Sequence, residues 1–197
     1  MSEIVVRAAK MSDEVGILGL ARQEMAALEK MDPRFRLRPD SEGRYATYLR
    51  ERSRDTDTGV FVAEENGRLI GLAIASLRSQ NSFFEPSRYG YISDLLVLES
   101  ERRRGIGTIL FRRIIKWFRG QGITVARLHV ASCNEAARSF WSSVGAGDYM
   151  VERWIDLSEE TQPAAESSDT VEEKPREPAG AKHGPGYSWG EDLVGGF

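Results

Sequence analysis

The chain has 197 residues, 41% hydrophobic and 29% charged, with a formal net charge of −3. That balance suits a soluble globular protein with one sizeable core. Its one cysteine, Cys133, excludes an internal disulfide framework and a cysteine-ligated zinc site, and no metal is expected.

The charge is unevenly spread. Residues 158–197 hold nine acids against three bases, whereas residues 1–157 hold 21 acids and 24 bases. A mildly basic body suits an anionic ligand but falls short of the markedly basic face of a nucleic-acid binder. No window approaches the ~18 apolar residues of a membrane span, and the first 30 residues hold no long apolar run. The expectation is a cytoplasmic protein without a membrane or nucleic-acid partner.

In chain order, residues 3–8 form a first strand. Ser12, followed by Asp13 and Glu14, reads as the cap of a helix running to about Lys30, and Asp32-Pro33 breaks it. A second helix spans 41–54, capped by Asp40 or Ser41. Residues 59–65 and 68–77 are strands joined at Asn66-Gly67, a pair suited to the positive φ angles of a type I′ hairpin turn. A loop over 79–88 carries the apolar pair Phe83-Phe84. Residues 91–98 are a buried strand, 106–119 an amphipathic helix, 123–131 a strand, and 134–144 a helix with Gly145 as its C-terminal cap. Residues 149–157 are read as a last strand. From Ser158 onward Pro, Glu, Ser, Ala and Gly dominate, and residues 158–197 are expected to be a disordered acidic tail. The order β-α-α-β-β-β-α-β-α-β defines a mixed α/β domain over 1–157. Its sheet is of the mixed α+β type, since strands two to four follow one another by hairpin and short loop.

The stretch from 89 to 120 carries the chemistry. A strand runs through Arg102-Arg103-Arg104-Gly105-Ile106-Gly107 into a helix. Unsatisfied N–H groups, the helix dipole and glycine together make a site for a phosphate or pyrophosphate. It is not a dinucleotide fingerprint, because Leu110 stands where the third glycine belongs, and no P-loop pattern occurs.

Arg102-x-x-Gly105-x-Gly107 after the fourth strand resembles the cofactor motif of the GNAT superfamily of N-acetyltransferases, which bind acetyl-CoA. A second match is Asn134, Ala137, Phe140 and Gly145, in register with that family's late segment; the likeness covers residues 3–157. The resemblance implies that the backbone of Arg103, Arg104, Gly105, Ile106, Gly107 and Thr108 holds the CoA pyrophosphate. It also implies that the backbone of Leu95, Leu96 and Val97 pairs with the pantetheine arm and polarises the thioester carbonyl. Asn134 would contact the cofactor, a role compatible with capping its helix.

Two positions depart from the family pattern. Trp141 replaces the tyrosine that often protonates the departing thiolate, and an indole N–H is no proton source near neutral pH. On the apolar face with Ala137, Phe140 and Val144, Trp141 reads first as core. Where polyamine acetyltransferases of the family place a Glu before an Asp, this chain has Ser93-Asp94. Ser93 can position a water, and Asp94, on the opposite side of the strand by simple alternation, is a candidate base that also suits a structural role. His129 reads as a solvent-side or cleft residue, and Cys133 as a buried, inert thiol. Glu24, Glu29 and Glu85 lie on segments that wall the acceptor cleft by resemblance.

The resemblance implies an acetyl-CoA-dependent N-acetyltransferase acting on a primary amine, of a small molecule or a protein, by direct transfer. The alternative is an acyl-CoA-binding module with little turnover. Phe83-Phe84 or the last strands offer a face for a homodimer.

Overall fold

A computed structural model describes residues 3–81 and 83–157. The chain folds as β1 (Val5–Ala8), α1 (Glu14–Met31), α2 (Ser41–Arg54), β2 (Thr58–Glu65), β3 (Arg68–Ser79), β4 (Arg88–Val97), α3 (Ile106–Gly120), β5 (Ala126–Arg127) and α4 (Glu135–Ser143). Among the described residues, five strands form one sheet in the order β1-β2-β3-β4-β5. All neighbours are antiparallel except β4 and β5, which run parallel. This is the expected mixed architecture, with helices against both faces of the sheet.

The hairpin between β2 and β3 turns where the sequence placed it. Asn66 and Gly67 have φ angles of 51° and 77°, the backbone that a tight hairpin turn demands. Strand alternation then sends side chains to two cores. On one face Phe61, Ala73, Ala75, Ile92 and Leu95 pack against Ile106, Leu110, Ile114 and Phe118 of α3. These α3 residues recur every four positions, which gives the helix its single apolar stripe. On the other face Val62, Leu72, Ile74 and Leu96 pack against Ile17, Leu20 and Ala21 of α1 and Tyr45 and Leu49 of α2.

Several local expectations are corrected. The first helix does not start on a Ser12 cap. A 3₁₀ turn over Met11–Asp13 precedes it, and the Asp13 carboxylate accepts from the Lys10 N–H and from Arg7 Nη1, each at 2.7 Å. That ion pair ties the turn to β1 and moves the helix start to Glu14. The fifth strand shrinks from nine expected residues to two. Its ladder to β4 holds only Gly90 opposite Ala126 and Tyr91 opposite Arg127. Residues 149–157 form no strand, and Tyr149, Met150, Val151, Trp154, Ile155 and Leu157 stand exposed. A β5 this short offers no edge long enough for another strand to join. The expected tail over 158–197 lies outside the described residues. Among the described residues, no helix is long and apolar enough to cross a membrane.

Candidate active site

The centre of β4 is bulged. Leu96, Leu95 and Asp94 lie opposite Leu72, Ala73 and Ile74, but Ala75 lies opposite Ile92, so Ser93 is an extra residue in the strand. A bulge leaves such a residue out of the ladder and re-aims its neighbours. Here it breaks the alternation: Ile92 and Leu95 are three apart, yet both enter the α3-side core. Asp94 is turned instead to the face covered by α2. The expected placement of Ser93 and Asp94 on opposite sides is therefore corrected. The Tyr48 hydroxyl lies 3.0 Å from Ser93 Oγ and 3.2 Å from Asp94 Oδ2, so one phenol reaches both side chains.

Helix α2 supplies the rest of this polar cluster. Tyr45 and Tyr48 are three residues apart on one helix face, and the Tyr45 hydroxyl donates to Asp94 Oδ1 at 3.1 Å. Ser93 Oγ also donates to the Ile74 carbonyl at 3.3 Å. Asp94 is only 2% exposed. Burial pushes its carboxyl up to about 6, against the hydroxyls of Ser93, Tyr45 and Tyr48 and the charge of Arg52. Burial and the Asp94 charge likewise hold both phenols above their ordinary range. The result is a nearly dry carboxyl group whose outward connection is a chain of hydroxyls.

Beyond Tyr91, β4 has a strand neighbour on its β3 side only, among the described residues. Leu95, Leu96 and Val97 lie on this one-sided stretch, where alternate backbone groups point away from β3. The Val97 carbonyl is met by Arg102 Nε at 3.4 Å, a weak contact. The open edge leads to the start of α3. Arg103 has φ 65° and Gly105, at the cap position, φ 80° with no side-chain cap. The first i→i−4 bond of the helix is Ile109 N–H to the Gly105 carbonyl. The N–H groups of Gly105, Ile106, Gly107 and Thr108 therefore precede the helical ladder.

These residues fit an anionic phosphate group. A Cβ at Gly105 would meet nothing within 4 Å, so the approach is open, while one at Gly107 would lie 3.3 Å from the Phe140 ring. The flanking arginines face outward into ion pairs. Arg102 contacts Glu24 at 3.1 Å, and Arg104 contacts Glu65 at 2.8 Å and also Glu101.

The other candidate residues lie on several elements. Asn134 is buried and caps α4, its Oδ1 accepting from the Ala137 N–H at 2.9 Å. Trp141 is 4% exposed and packs edge-on against Phe111 and Phe140, within the α3-side core. His129 is exposed, with Nδ1 2.9 Å from the Tyr91 hydroxyl. Cys133 is exposed rather than buried, because it falls in the turn ahead of the Asn134 cap. Burial raises the Glu24 carboxyl despite Arg102, Glu29 holds the Leu37 N–H at 3.1 Å, and Glu85 sits in the exposed loop after β3. Phe83 and Phe84 of that loop are exposed, ring against ring. A cavity of about 590 Å³ beside the first half of α1 and the β2–β3 turn includes none of the candidate catalytic or cofactor-binding residues.

Tyr45 and Tyr48 were not singled out from the sequence. Their trace there is a Tyr-x-x-Tyr spacing in an otherwise charged helix, SEGRYATYLRERSR.

The bulged, one-sided β4 leading into a glycine-opened helix is the arrangement that the resemblance implies, and comparison with known proteins identifies the family. The profile described as the acetyltransferase (GNAT) family matches residues 23–146, and the chain belongs to that family. An uncharacterized N-acetyltransferase of Archaeoglobus fulgidus is 37% identical over 91 residues, covering 46% of this chain. The matched region spans 60% of that relative's length. Among solved structures, the aminoglycoside antibiotic 6′-N-acetyltransferase of Acinetobacter haemolyticus has a TM-score of 0.63 at 20% identity, over 77% of this chain and 97% of its own. A predicted acetyltransferase of Clostridium acetobutylicum, solved with acetyl-CoA, has a TM-score of 0.65 at 18% identity, over 79% and 96%. At such identities the likeness is one of fold.

Proposed function

We propose that the protein is an acetyl-CoA-dependent N-acetyltransferase that moves an acetyl group directly to a primary amine. The observation that carries this reading is the run of β4 backbone, paired on one side only, into the uncapped start of α3. A pantetheine arm can add to such an edge as a strand does, with the pyrophosphate at the N–H groups of Arg103 to Thr108. In this reading Leu95, Leu96 and Val97 hold the arm, and a β4 N–H stabilises the developing oxyanion. Asn134 contacts the cofactor while capping α4. The donor supplies an activated thioester; the chain's own part is to orient it, exclude water and take the amine's proton.

Ser93 and Asp94 are the groups placed for that proton, since an alkyl ammonium with a pKa near ~10 must lose it before attack. The packing of Trp141 supports a core role and no proton transfer. The thiolate then departs unaided, tolerable for a group with a pKa near ~8.5. The polar cluster at the bulge favours turnover over a silent CoA-binding module, which has no use for a buried carboxyl beside the cleft. We place the activity in residues 1–157 and expect removal of 158–197 to leave donor affinity unchanged.

Isothermal titration with acetyl-CoA, followed by an amine panel with thiol-release detection, tests the reading. Saturable binding by the wild type is expected, with a loss of at least tenfold in Gly105→Glu. That variant puts a negative side chain at a left-handed position facing the anion. No binding by the wild type, or equal binding by the variant, removes the reading.

A further inference from the structure

We propose that Tyr48 is a proton-relay residue that couples Ser93, at the bulge, to the buried carboxylate of Asp94. The proposal rests on the acetyl-transfer reading and adds a route for the acceptor's proton that neither strand alternation nor the family resemblance supplies.

The geometry makes the route specific. Asp94 is 2% exposed and Ser93 5% exposed, so the carboxylate exchanges its proton through its hydroxyl neighbours and not with bulk water. Each Asp94 oxygen accepts from a phenol, Oδ1 from Tyr45 and Oδ2 from Tyr48, and the Ser93 hydroxyl also favours the charged form. Tyr48, which is only half-buried, is the one of the two phenols that also touches Ser93. A phenol has one proton to donate and lone pairs to accept with. When Tyr48 donates to Asp94 Oδ2, its oxygen is free to accept from Ser93 Oγ 3.0 Å away. The Ser93 hydroxyl otherwise leans on the Ile74 carbonyl at 3.3 Å, a long and readily exchanged bond. Rotation about one Ser93 torsion therefore completes the chain from Ser93 through Tyr48 to Asp94.

The proton count closes. The ammonium gives a proton to Ser93 Oγ as the Ser93 proton passes to Tyr48 and the Tyr48 proton to Asp94. Neither hydroxyl changes its charge, and Asp94 becomes a neutral acid. The freed amine lone pair forms the C–N bond as the C–S bond breaks, and its second proton leaves with the thiolate sulfur. Asp94 returns its proton along the same route to solvent. The charged and titratable groups facing Asp94 are Tyr45, Tyr48 and Arg52 from α2, with Ser93 beside it in β4. The Arg52 guanidinium lies over the Tyr48 ring, 5.2 Å from its centre, and steadies the phenol from the solvent side.

The decisive variant is Tyr48→Phe, which keeps the ring and removes the relay atom. Acetyl-CoA affinity and melting temperature are measured beside the pH profile of kcat/KM on an amine found in the panel. The expected result is unchanged donor affinity and a kcat/KM plateau lowered about 10²-fold, the scale of one lost acid–base contact. The rising limb of the profile is also expected at higher pH, because the carboxylate has lost a donor. Ser93→Ala should lower the plateau similarly and also move the limb to higher pH, since its hydroxyl too holds the Asp94 carboxyl down, and Asp94→Asn should abolish the limb. A carboxyl titration of the resting protein by isotope-edited infrared follows Asp94 independently of turnover. Its midpoint should match the wild-type limb and rise in Tyr48→Phe. Unchanged plateau and limb in a folded, donor-binding Tyr48→Phe overturn the relay and leave the acetyltransferase reading intact. A wild type that binds donor and turns over no amine overturns both.

Discussion

On the α3 face of the sheet, Ile92, Leu95, Leu110, Ile114 and Phe118 close an apolar layer, whereas the α2 face sets a carboxyl group between Ile74 and Leu96. Both faces are equally shut off from water: Ile114 is 0% exposed and Asp94 2%. The α3 face gains from burial alone, at roughly 25 cal/mol per Å² of apolar area. The α2 face must offset the desolvation of Asp94 with hydroxyl donors from Tyr45 and Tyr48. A buried polar cluster of this kind stabilises less than leucine would, which accords with the role proposed for it.

The contrast can be broken first on the α3 side. Ile114→Ala should cost about 2–5 kcal/mol, because a cavity is left in a layer with no mobile side chain to fill it. Urea unfolding reads this, and the loss should not vary between pH 5 and 8.

The α2 side is expected to differ through its pH dependence. Asp94 is raised from an ordinary 3.8 to about 6, so between these values the folded chain keeps a proton that the unfolded chain has released. Its contribution is complete below the lower value and is lost as pH rises through the upper one, a swing of roughly 3 kcal/mol. Denaturation at a series of pH values should show that decline in the wild type, and Asp94→Asn should flatten it. A wild-type curve that stays flat across this window would mean that the carboxyl is solvated, and one that rises that the fold favours its charged form.

The smallest effect sharpens the comparison at one atom. Tyr45→Phe removes the donor to Asp94 Oδ1 and should cost about 1–3 kcal/mol at pH 7.5, where the carboxylate is charged. At pH 5 the protonated carboxyl needs that donor less, so the loss should shrink. Thermal melts at the two values separate this from a packing defect, which would cost the same at both.

Much of this was legible beforehand. The hairpin at Asn66-Gly67, the apolar stripe of α3 and the Gly105 turn are local signals, set by φ angles and a 3.6-residue period. What stayed hidden depends on partners distant in sequence. The bulge at Ser93 exists only in the register between β3 and β4, so alternation put Asp94 on the wrong side of its neighbour. The tyrosines of α2 gain meaning only when that helix lies across the bulge. Residues 149–157 have strand-like composition, but composition does not provide an edge to pair with. Asn134 was legible as a cap because its partner, the Ala137 N–H, is three residues away.

The two-residue junction of β4 and β5 also has a mechanical side. Its vertex is at Gly90 and Tyr91, and a Cβ added at Gly90 would lie 2.5 Å from the Phe118 ring, so the aromatic edge is wedged against bare backbone. From Tyr91 to Val97 the strand extends about 20 Å at ~3.3 Å per residue, paired with β3 throughout except at the bulge. A side chain at Gly90 would therefore have to displace the Phe118 ring, because β3 holds the strand along its whole length.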